Sequence, residues 1–412
     1  MISAKEINIL KKFLLKKNLI KNSKKFNYPL LENGFTDEDI FKAVEVLLSK
    51  KITMGEITKK FEIEFGEFIG SKYALMVNSG SSANLLAAFG MINPKKTNRL
   101  KVGDQFLIPS LCWPTSLWPF VQAGLKPKFI DVNLKNFCIE PKQISKQVLK
   151  KSKALVNIHI LGNSADTNNI KKIINENNLI MLEDTCEALG SSYKGKYLGT
   201  FGDYGTFSFY YSHQITSGEG GMVICKNKED YEIMNTLRAH GWDRGLSTKN
   251  SKSFNFINSG FNLRPLDLTA AIASNQLKRL KQMMKIRREN RNAIIKSLMN
   301  SKKWKSQFIF FQNEENTKPS WFGLPLLLNS SIRFKKKKYL EYLQKNNIET
   351  RPILTGNFLK QPCNLLYNFS QKSRDFKNTN IIDKQGFFIG LPTTKLSQKK
   401  INLLTSKLLN FE

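Results

Sequence analysis

Seven short apolar segments, rich in β-branched and aromatic residues, follow one another between about residue 70 and residue 226, with helical stretches between most of them. Near-continuous apolar runs of this length are typical of strands that are buried on both faces, and the intervening helices are typical of parallel crossovers. The pattern therefore predicts an α/β fold with a mainly parallel seven-stranded sheet. The predicted strands are 73–78, 104–109, 128–132, 154–161, 179–183, 205–210 and 221–225.

Helical periodicity flanks this region on both sides. Ile57, Phe61, Phe65 and Phe68 fall on one face of a helix, which we expect to pack on the sheet. The stretch 266–295 predicts one long helix that leads into a smaller C-terminal α+β domain. We therefore divide the chain into a basic helical lead-in over 1–30, a large ligand-binding domain over 31–279 and a small domain over 280–412.

The composition is that of an ordinary soluble enzyme. Of the 412 residues, 41% are hydrophobic and 11% aromatic. No apolar run approaches the ~18 residues of a membrane helix, and lysines interrupt the apolar start of the chain. The five cysteines have no paired spacing, which favours a reduced, cytoplasmic protein without a disulfide framework or a zinc site.

The net charge of +32 allows two interpretations. One is nucleic-acid binding through phosphate contacts. The other is a set of lysines spread over solvated faces. The second is favoured because the lysine runs, at 11–12, 16–17 and 335–338, lie far apart and lack interleaved aromatic residues. In either case a positive field favours an anionic substrate such as a sugar nucleotide.

Three segments carry candidate chemistry. NSGSSANLL, 78–86, follows a strand and opens a helix, so Gly80, Ser81 and Ser82 form a candidate anion site. Asp184 directly follows the predicted strand 179–183, where it is suited either to pairing with a protonated pyridine nitrogen or to capping a helix. SFYYSHQITSGEGGMV, 208–223, carries His213 on an irregular stretch, where a purely structural histidine is the alternative.

Together these segments resemble the DegT/DnrJ/EryC1/StrS sugar aminotransferase family, from the segment that begins at Thr53 to FFIGLPT at the C-terminal end. The resemblance implies an aspartate-aminotransferase-like fold (fold type I) that binds pyridoxal phosphate and works as a homodimer with shared active sites. It also implies roles for single residues. Gly80, Ser81, Ser82 and Ser208 would contact the cofactor phosphate, Asn262 would reach the phosphate of the neighbouring subunit, Trp113 would stack on the ring, and Asp184 would pair with the pyridine nitrogen.

One position departs from the aminotransferase pattern. In family aminotransferases the fourth residue after the SF phenylalanine, here Phe209, is the lysine that binds the cofactor covalently, and in this chain that residue is His213. No lysine lies between Lys196 and Lys226 to take its place. The 3-dehydratases of the family carry histidine here. SGSSANL, HILGN, SWFG, ETRPILTGNF and Glu187, where aminotransferases tend to have glutamine, also resemble that subgroup.

The resemblance therefore implies a 3-dehydratase, which removes the 3-hydroxyl of a nucleotide-linked 4-keto-6-deoxyhexose in deoxysugar and lipopolysaccharide O-antigen synthesis. Without lysine the cofactor stays as the free amine, pyridoxamine phosphate. An imidazole titrates near neutrality and is suited to moving the protons of this reaction. Two alternatives stay open: an aminotransferase that uses another base, and a relative that binds the cofactor without turnover.

Two branches of the subgroup differ in their source of electrons. One holds an iron–sulfur cluster through clustered cysteines, but the corresponding stretch LRAHGWDRGLSTKNSKSF contains none, so we expect no cluster. The other branch regenerates the amine from L-glutamate. Arg238 and Arg244 are candidates to bind its carboxylates. Arg351 is a further candidate for a carboxylate or for the pyrophosphate of the nucleotide, whether GDP or CDP, and a surface arginine is the alternative for it.

Overall fold

The computed structural model describes residues 9, 12, 26–32, 34–148, 150–246, 254–329, 332 and 335–411. The predicted helical lead-in over 1–30 lies largely outside the described residues. The helices are α1 Asp37–Ser49, α2 Glu56–Ile69, α3 Gly80–Met91, α4 Pro114–Gln122, α5 Pro141–Gln147, α6 Thr167–Asn177, α7 Lys228–Leu237, α8 Asp267–Leu277, α9 Leu280–Met299, α10 Lys336–Lys345, α11 Asn364–Tyr367, α12 Lys377–Gln385 and α13 Gln398–Leu409. The strands are β1 Tyr73–Val77, β2 Gln105–Pro109, β3 Lys126–Ile130, β4 Ser152–Ile158, β5 Ile180–Asp184, β6 Ser192–Tyr193, β7 Lys196–Tyr197, β8 Tyr204–Ser208, β9 Gly221–Cys225, β10 Phe308–Phe310, β11 Thr317–Lys318, β12 Gly323–Leu328, β13 Thr350–Arg351 and β14 Gly386–Gly390.

The predicted seven-stranded sheet is confirmed. Its order is β1-β9-β8-β5-β4-β2-β3, and β9 alone runs antiparallel to its two neighbours. Strands β2, β8 and β9 are buried along their whole length, which agrees with a sheet covered on both faces. Parallel strands end at the same edge of the sheet, so the residues after β5 and β8 share one edge with the loop after β4.

A second, four-stranded sheet lies in the C-terminal part of the chain. Its order is β10-β12-β14-β13, with antiparallel neighbours throughout. Helix α9 precedes this sheet and contacts helix α13 at the end of the chain. The boundaries of the two predicted domains stay a prediction. No helix in the described part of the chain is both long enough and apolar enough to cross a bilayer.

Helix α2 packs on the large sheet as its spacing predicts. Phe61 and Phe65 are fully buried. The ring of Phe65 meets those of Phe207 and Phe209 edge-on, with centroids 5.1 Å and 5.9 Å apart. Such aromatic pairs each contribute about 0.5–1.5 kcal/mol beyond the burial of their area. They fix the position of β8, and with it the segment that carries His213.

The single helix predicted over 266–295 is wrong, because the structure has two helices, α8 and α9, with a turn at Lys278 and Arg279. The turn lies beside Asp39, whose carboxylate is fully buried. Arg279 reaches Asp39 with a nitrogen–oxygen distance of 2.6 Å, and Asn275 and Gln276 also donate to it. The residues at the break therefore bind a buried carboxylate that lies 240 residues away in sequence. Helical periodicity cannot predict such a distant contact.

Glu183 anchors the loop that leads into β8. Its carboxylate is fully buried and accepts from the backbone N–H groups of Gly199, Phe201 and Gly202 at 3.1, 2.6 and 2.7 Å. The ring Nε2 of His159 lies 2.8 Å from it. Burial by itself raises the pKa of Glu183, but these hydrogen bonds outweigh burial and leave the pKa lowered.

We expect Glu183→Gln to destabilise the fold by roughly 2–4 kcal/mol, because an amide NH₂ would face backbone N–H groups and the buried charge would be lost. The check is urea unfolding of both proteins at neutral pH. The same change at the largely exposed Glu176 is the matched control and should be close to neutral. Since the pKa of Glu183 is lowered, its stabilising effect should be present above the pKa of an unfolded glutamate and fade as the pH falls through its folded value. Equal unfolding midpoints for the Glu183 and Glu176 variants would contradict this role.

Candidate active site

The turn between β1 and α3 and the end of β8 meet at one point. A β-carbon added to Gly80 would lie 2.5 Å from Cβ and 2.9 Å from Oγ of Ser208, so only glycine permits this approach. Ser79 caps α3 by accepting from the N–H of Ser82 at 3.1 Å. The N–H groups of Gly80 and Ser81 stand at the open end of the helix, where its dipole favours an anion. The two predicted phosphate motifs thus form one site.

Asp184 lies at the carboxyl end of β5 and is almost fully buried. Its Oδ2 accepts from Asn84 Nδ2 at 2.9 Å and from Ser116 Oγ at 2.7 Å, and its Oδ1 accepts from the N–H of Cys186 at 3.2 Å. Thr206 in turn donates to Oδ1 of Asn84 at 2.7 Å. Sequence analysis missed these partners. The signal for Asn84 was a polar residue inside the otherwise apolar stretch ANLLAAF.

Trp113 stands at the same edge of the sheet. It is the N-cap of α4, and its carbonyl accepts from the N–H of Ser116, which also bonds Asp184. Half of its surface, 52%, is exposed. Trp113 thus lies one helical turn before Ser116, which donates to the buried carboxylate of Asp184. A large exposed aromatic side chain in this position is suited to covering a planar ligand.

His213 lies on the irregular segment between β8 and β9, as predicted. The segment is fixed by the next residue, Gln214, whose Nε2 donates to the carbonyls of Glu187 and Ser320. The imidazole packs edge-on against Phe322 and Tyr210, with centroids 5.0 Å and 5.8 Å away. Among the described residues its buried Nδ1 has no hydrogen-bond partner. Packing therefore orients the ring, with Nδ1 enclosed by protein.

A buried cation lies near His213. Arg287 of α9 is fully buried and donates to the carbonyls of Trp321 and Phe322, at 3.1 and 3.5 Å. Phe322 is also the residue whose ring meets His213. Burial, reinforced by the charge of Arg287, lowers the pKa of His213 to about 3. The imidazole is therefore neutral in the physiological range, and it is a weaker proton acceptor than the imidazole titrating near neutrality that the sequence predicts.

The HILGN and SWFG motifs meet Glu187 behind this site. Leu161, in a left-handed backbone conformation with φ of 51°, donates its N–H to Glu187 Oε2 at 2.9 Å and accepts from the N–H of Phe322 at 3.1 Å. The next residue, Gly162, approaches the carbonyl of Ser320 so closely that a β-carbon would lie 2.3 Å from it. Burial, together with the charge of Asp184, raises the pKa of Glu187 to about 7.

The three candidate arginines have different surroundings. Arg238 is 5% exposed and donates to Glu62, the carbonyl of Met76 and Asn235, so it joins α7 to β1 and α2 and we do not propose it further as a carboxylate ligand. Arg244 is exposed and stacks on Trp242, with its guanidinium carbon 5.1 Å from the ring centroid. Arg351 is more than half exposed and pairs with Glu349 at 2.9 Å. The last two are accessible to a ligand.

Asn262 has an exposed side chain on a short extended segment beside the glycine turn. Its neighbour Leu263 accepts from the N–H of Asn78 at 3.1 Å, and Asn262 itself bridges to Ala239. In the described part of the chain, the Asn262 side chain makes no hydrogen bond to the site of its own subunit. It is compatible with the predicted reach into a neighbouring subunit.

Comparisons with known proteins agree with this geometry. The model of the DegT/DnrJ/EryC1/StrS aminotransferase family matches residues 35–407. GDP-4-keto-6-deoxy-D-mannose 3-dehydratase of Escherichia coli O55:H7 is 38% identical over 376 residues, which are 88% of this chain and 95% of that protein.

Two solved structures of the same kind of enzyme superpose closely. The E. coli GDP-4-keto-6-deoxy-D-mannose-3-dehydratase with bound hydrated PLP is 35% identical, with a TM-score of 0.87 over 93% of this chain and 100% of that one. A GDP-4-keto-6-deoxymannose-3-dehydratase with a trapped PLP-glutamate geminal diamine is 36% identical, with a TM-score of 0.85 and the same two coverages. The aspartate-aminotransferase-like fold is thereby confirmed, and this chain belongs to the DegT/DnrJ/EryC1/StrS aminotransferase family.

Proposed function

We propose that this protein is a pyridoxal- and pyridoxamine-phosphate-dependent 3-dehydratase of a nucleotide-linked 4-keto-6-deoxyhexose, acting in deoxysugar and O-antigen synthesis. The observation that carries the proposal is the neutral imidazole of His213 at the position of the aminotransferase lysine, in a site that otherwise keeps its anion turn and its buried carboxylate. The relatives named above, which act on GDP-4-keto-6-deoxy-D-mannose, favour a GDP-linked substrate.

The residues fit the cofactor. The close approach of Gly80 to Ser208 makes a cradle that a β-carbon would fill, and it supplies N–H and hydroxyl donors for a phosphate. Asp184, nearly buried and with acceptor capacity left on Oδ1, is suited to an N–H of a protonated pyridine ring. Trp113 and Glu187 complete the set we assign to it. When bound, the cofactor supplies an amine for the keto group and an electron-poor ring that accepts electrons.

His213 is the proposed base. Because its pKa is lowered to about 3, the ring is unprotonated across the physiological range, so a ring nitrogen is available to take a proton. The same nitrogen, once protonated, is a donor for the departing 3-hydroxyl. A lysine amine here would bind the cofactor covalently, whereas an imidazole leaves the cofactor amine free for the sugar.

L-Glutamate is the proposed amino donor, which accounts for the electrons. The sugar loses one oxygen at C3 and gains two electrons, while glutamate loses two electrons and becomes 2-oxoglutarate with release of ammonia. Arg244 and Arg351 are our candidates for the glutamate carboxylates or the pyrophosphate. We expect no iron–sulfur cluster, because 237–254 contains no cysteine and burial raises the pKa of the Cys186 thiol.

We further propose a homodimer in the cytoplasm, with each Asn262 serving the cofactor phosphate of the other subunit. The exposed side chain of Asn262 beside the glycine turn supports the shared site. The five cysteines are free, as expected of a reducing compartment.

The experiment that tests the function is mass spectrometry of the sugar product. The purified protein receives pyridoxal phosphate, L-glutamate and GDP- or CDP-linked 4-keto-6-deoxyhexose, with no reductase. We expect a keto sugar one oxygen lighter, with equimolar ammonia and 2-oxoglutarate. A 4-amino sugar would identify an aminotransferase instead, and tight cofactor binding with no product from either sugar would identify a relative without turnover.

Replacing His213 separates its two proposed effects. His213→Asn should bind the cofactor normally and lose roughly a hundredfold or more in dehydration rate, because the proton acceptor is gone. His213→Lys should become covalently labelled by pyridoxal phosphate after borohydride reduction, detected as a mass increase of the denatured protein, whereas the parent protein should not. Full turnover by His213→Asn, or labelling of the parent to the same extent, would contradict the assignment.

The charge of Arg287 should be visible in the titration of His213. Arg287→Met keeps the length of the side chain and removes the charge, so the pKa of His213 should rise from about 3 while burial still holds it below its ordinary value. Histidine-selective NMR suits this test, since the chain has three histidines and His213→Asn assigns the signal. Arg288→Met, on the same helix, is the control. An unchanged titration in the Arg287 variant would remove the electrostatic role.

A further inference from the structure

The partners of Asp184 divide unequally between its two oxygens. In the described part of the chain, Oδ2 accepts two donors, Asn84 Nδ2 at 2.9 Å and Ser116 Oγ at 2.7 Å, whereas Oδ1 accepts one backbone donor, the N–H of Cys186 at 3.2 Å. The Cys186 thiol also hydrogen-bonds to Asp184, but a thiol is a weak donor that a stronger one displaces. A carboxylate oxygen has about two lone-pair directions. Oδ2 is therefore saturated by the protein, and Oδ1 is the oxygen that keeps a place for another donor.

The amide of Asn84 is itself fixed in one orientation. Its Oδ1 accepts from Thr206 Oγ1 at 2.7 Å, which leaves Nδ2 to face Asp184. Thr206 and Asp184 are direct partners in the register of the parallel strands β8 and β5, so their positions are set by the sheet. A flipped amide would place its oxygen against the carboxylate and lose both hydrogen bonds. All of these groups are buried, and each hydrogen bond is therefore made in a site of low dielectric.

The four side chains of this network come from four separate elements. Asn84 lies on α3, Ser116 on α4, Asp184 on β5 and Thr206 on β8. Two of these elements also carry the parts of the site that face a ligand: α3 begins with the anion turn at Gly80, and α4 begins after Trp113. The network therefore joins the carboxylate to the two helices whose first residues are proposed to contact the phosphate and the ring.

We propose that Asn84 and Ser116 are positioning residues for the cofactor: they occupy Oδ2 of Asp184 and turn Oδ1 toward the ring nitrogen. The proposal rests on the proposed cofactor and deepens it by naming the oxygen that engages the ring and the side chains that present it. A purely structural network would stabilise the fold without distinguishing one ring atom from another. This difference provides the test.

The experiment compares two probes in the full-length protein. Pyridoxal phosphate carries the ring nitrogen, and 1-deazapyridoxal phosphate carries a C–H in its place with nearly the same shape. Dissociation constants are measured by equilibrium dialysis for the parent and for Asn84→Leu and Ser116→Ala. We expect the parent to prefer pyridoxal phosphate. Each variant should weaken the binding of pyridoxal phosphate roughly ten- to a hundredfold, the range for one lost hydrogen bond to a charged group, and leave the deaza probe within about twofold.

Thr206 supplies a conservative pair. Thr206→Val removes the hydroxyl that orients Asn84 and should reproduce the selective loss in part, whereas Thr206→Ser keeps the hydroxyl and should restore the preference of the parent. Equal weakening of both probes in Asn84→Leu and Ser116→Ala would reduce the network to a structural role and overturn the proposal. So would a parent protein that binds the two probes equally.

The role of Asn84 and Ser116 can be tested separately from the dehydratase activity. Binding of the two probes is measured without a sugar or glutamate. A parent protein that discriminates between the probes, and variants that lose this discrimination, would support the positioning role even if no deoxysugar were formed. Conversely, a deoxysugar product together with variants that weaken both probes alike would uphold the dehydratase and overturn the role of Asn84 and Ser116.

Discussion

The site depends on the alternation of side chains along one buried strand. Successive residues of a strand point to opposite faces of a sheet, and β5 ends with two carboxylates in succession, Glu183 and Asp184. The first is surrounded by backbone N–H groups and His159 and holds the loop that returns into β8. The second faces α3 and α4 and meets the side chains of Asn84 and Ser116. Glu183 therefore holds the loop that leads into β8. Asp184, on the opposite face of the strand, keeps acceptor capacity for a ligand.

A second constraint acts on His213 through a set of arginines that bind carbonyl groups. Arg287, Arg288 and Arg291 of helix α9 donate to the backbone carbonyls of Trp321, Pro319 and Phe311. These contacts hold the turn that brings Phe322 against the imidazole. Burial lowers the pKa of Arg287 to about 10, and its charge disfavours a positive charge on His213. Positioning of the ring and control of its protonation thus arise from the same helix.

The strands of the large sheet and the place of His213 could be predicted from the sequence. The side chains that contact Asp184 and Asp39 could not, because they are distant in sequence. The seven strands were found because each is a continuous apolar run, and His213 because a motif fixes its place relative to Phe209. The partners of Asp184 were missed because they lie 68 and 100 residues away, at distances that only the sheet brings together. The same holds for Asp39 beside the break after α8. The loop after β4 was predicted as strand up to Leu161, but the strand ends at Ile158 and Leu161 turns to bind Glu187.

The location of His213 on an irregular segment has a consequence for divergence. The groups proposed to hold the cofactor lie on strand ends and helix starts that are tied into the core, whereas His213 lies on the irregular connection between β8 and β9, where Gln214 and Phe322 are among the residues that hold it. If His213 is the base, as proposed, a change of side chain at this one position would alter the reaction and leave the sheet intact.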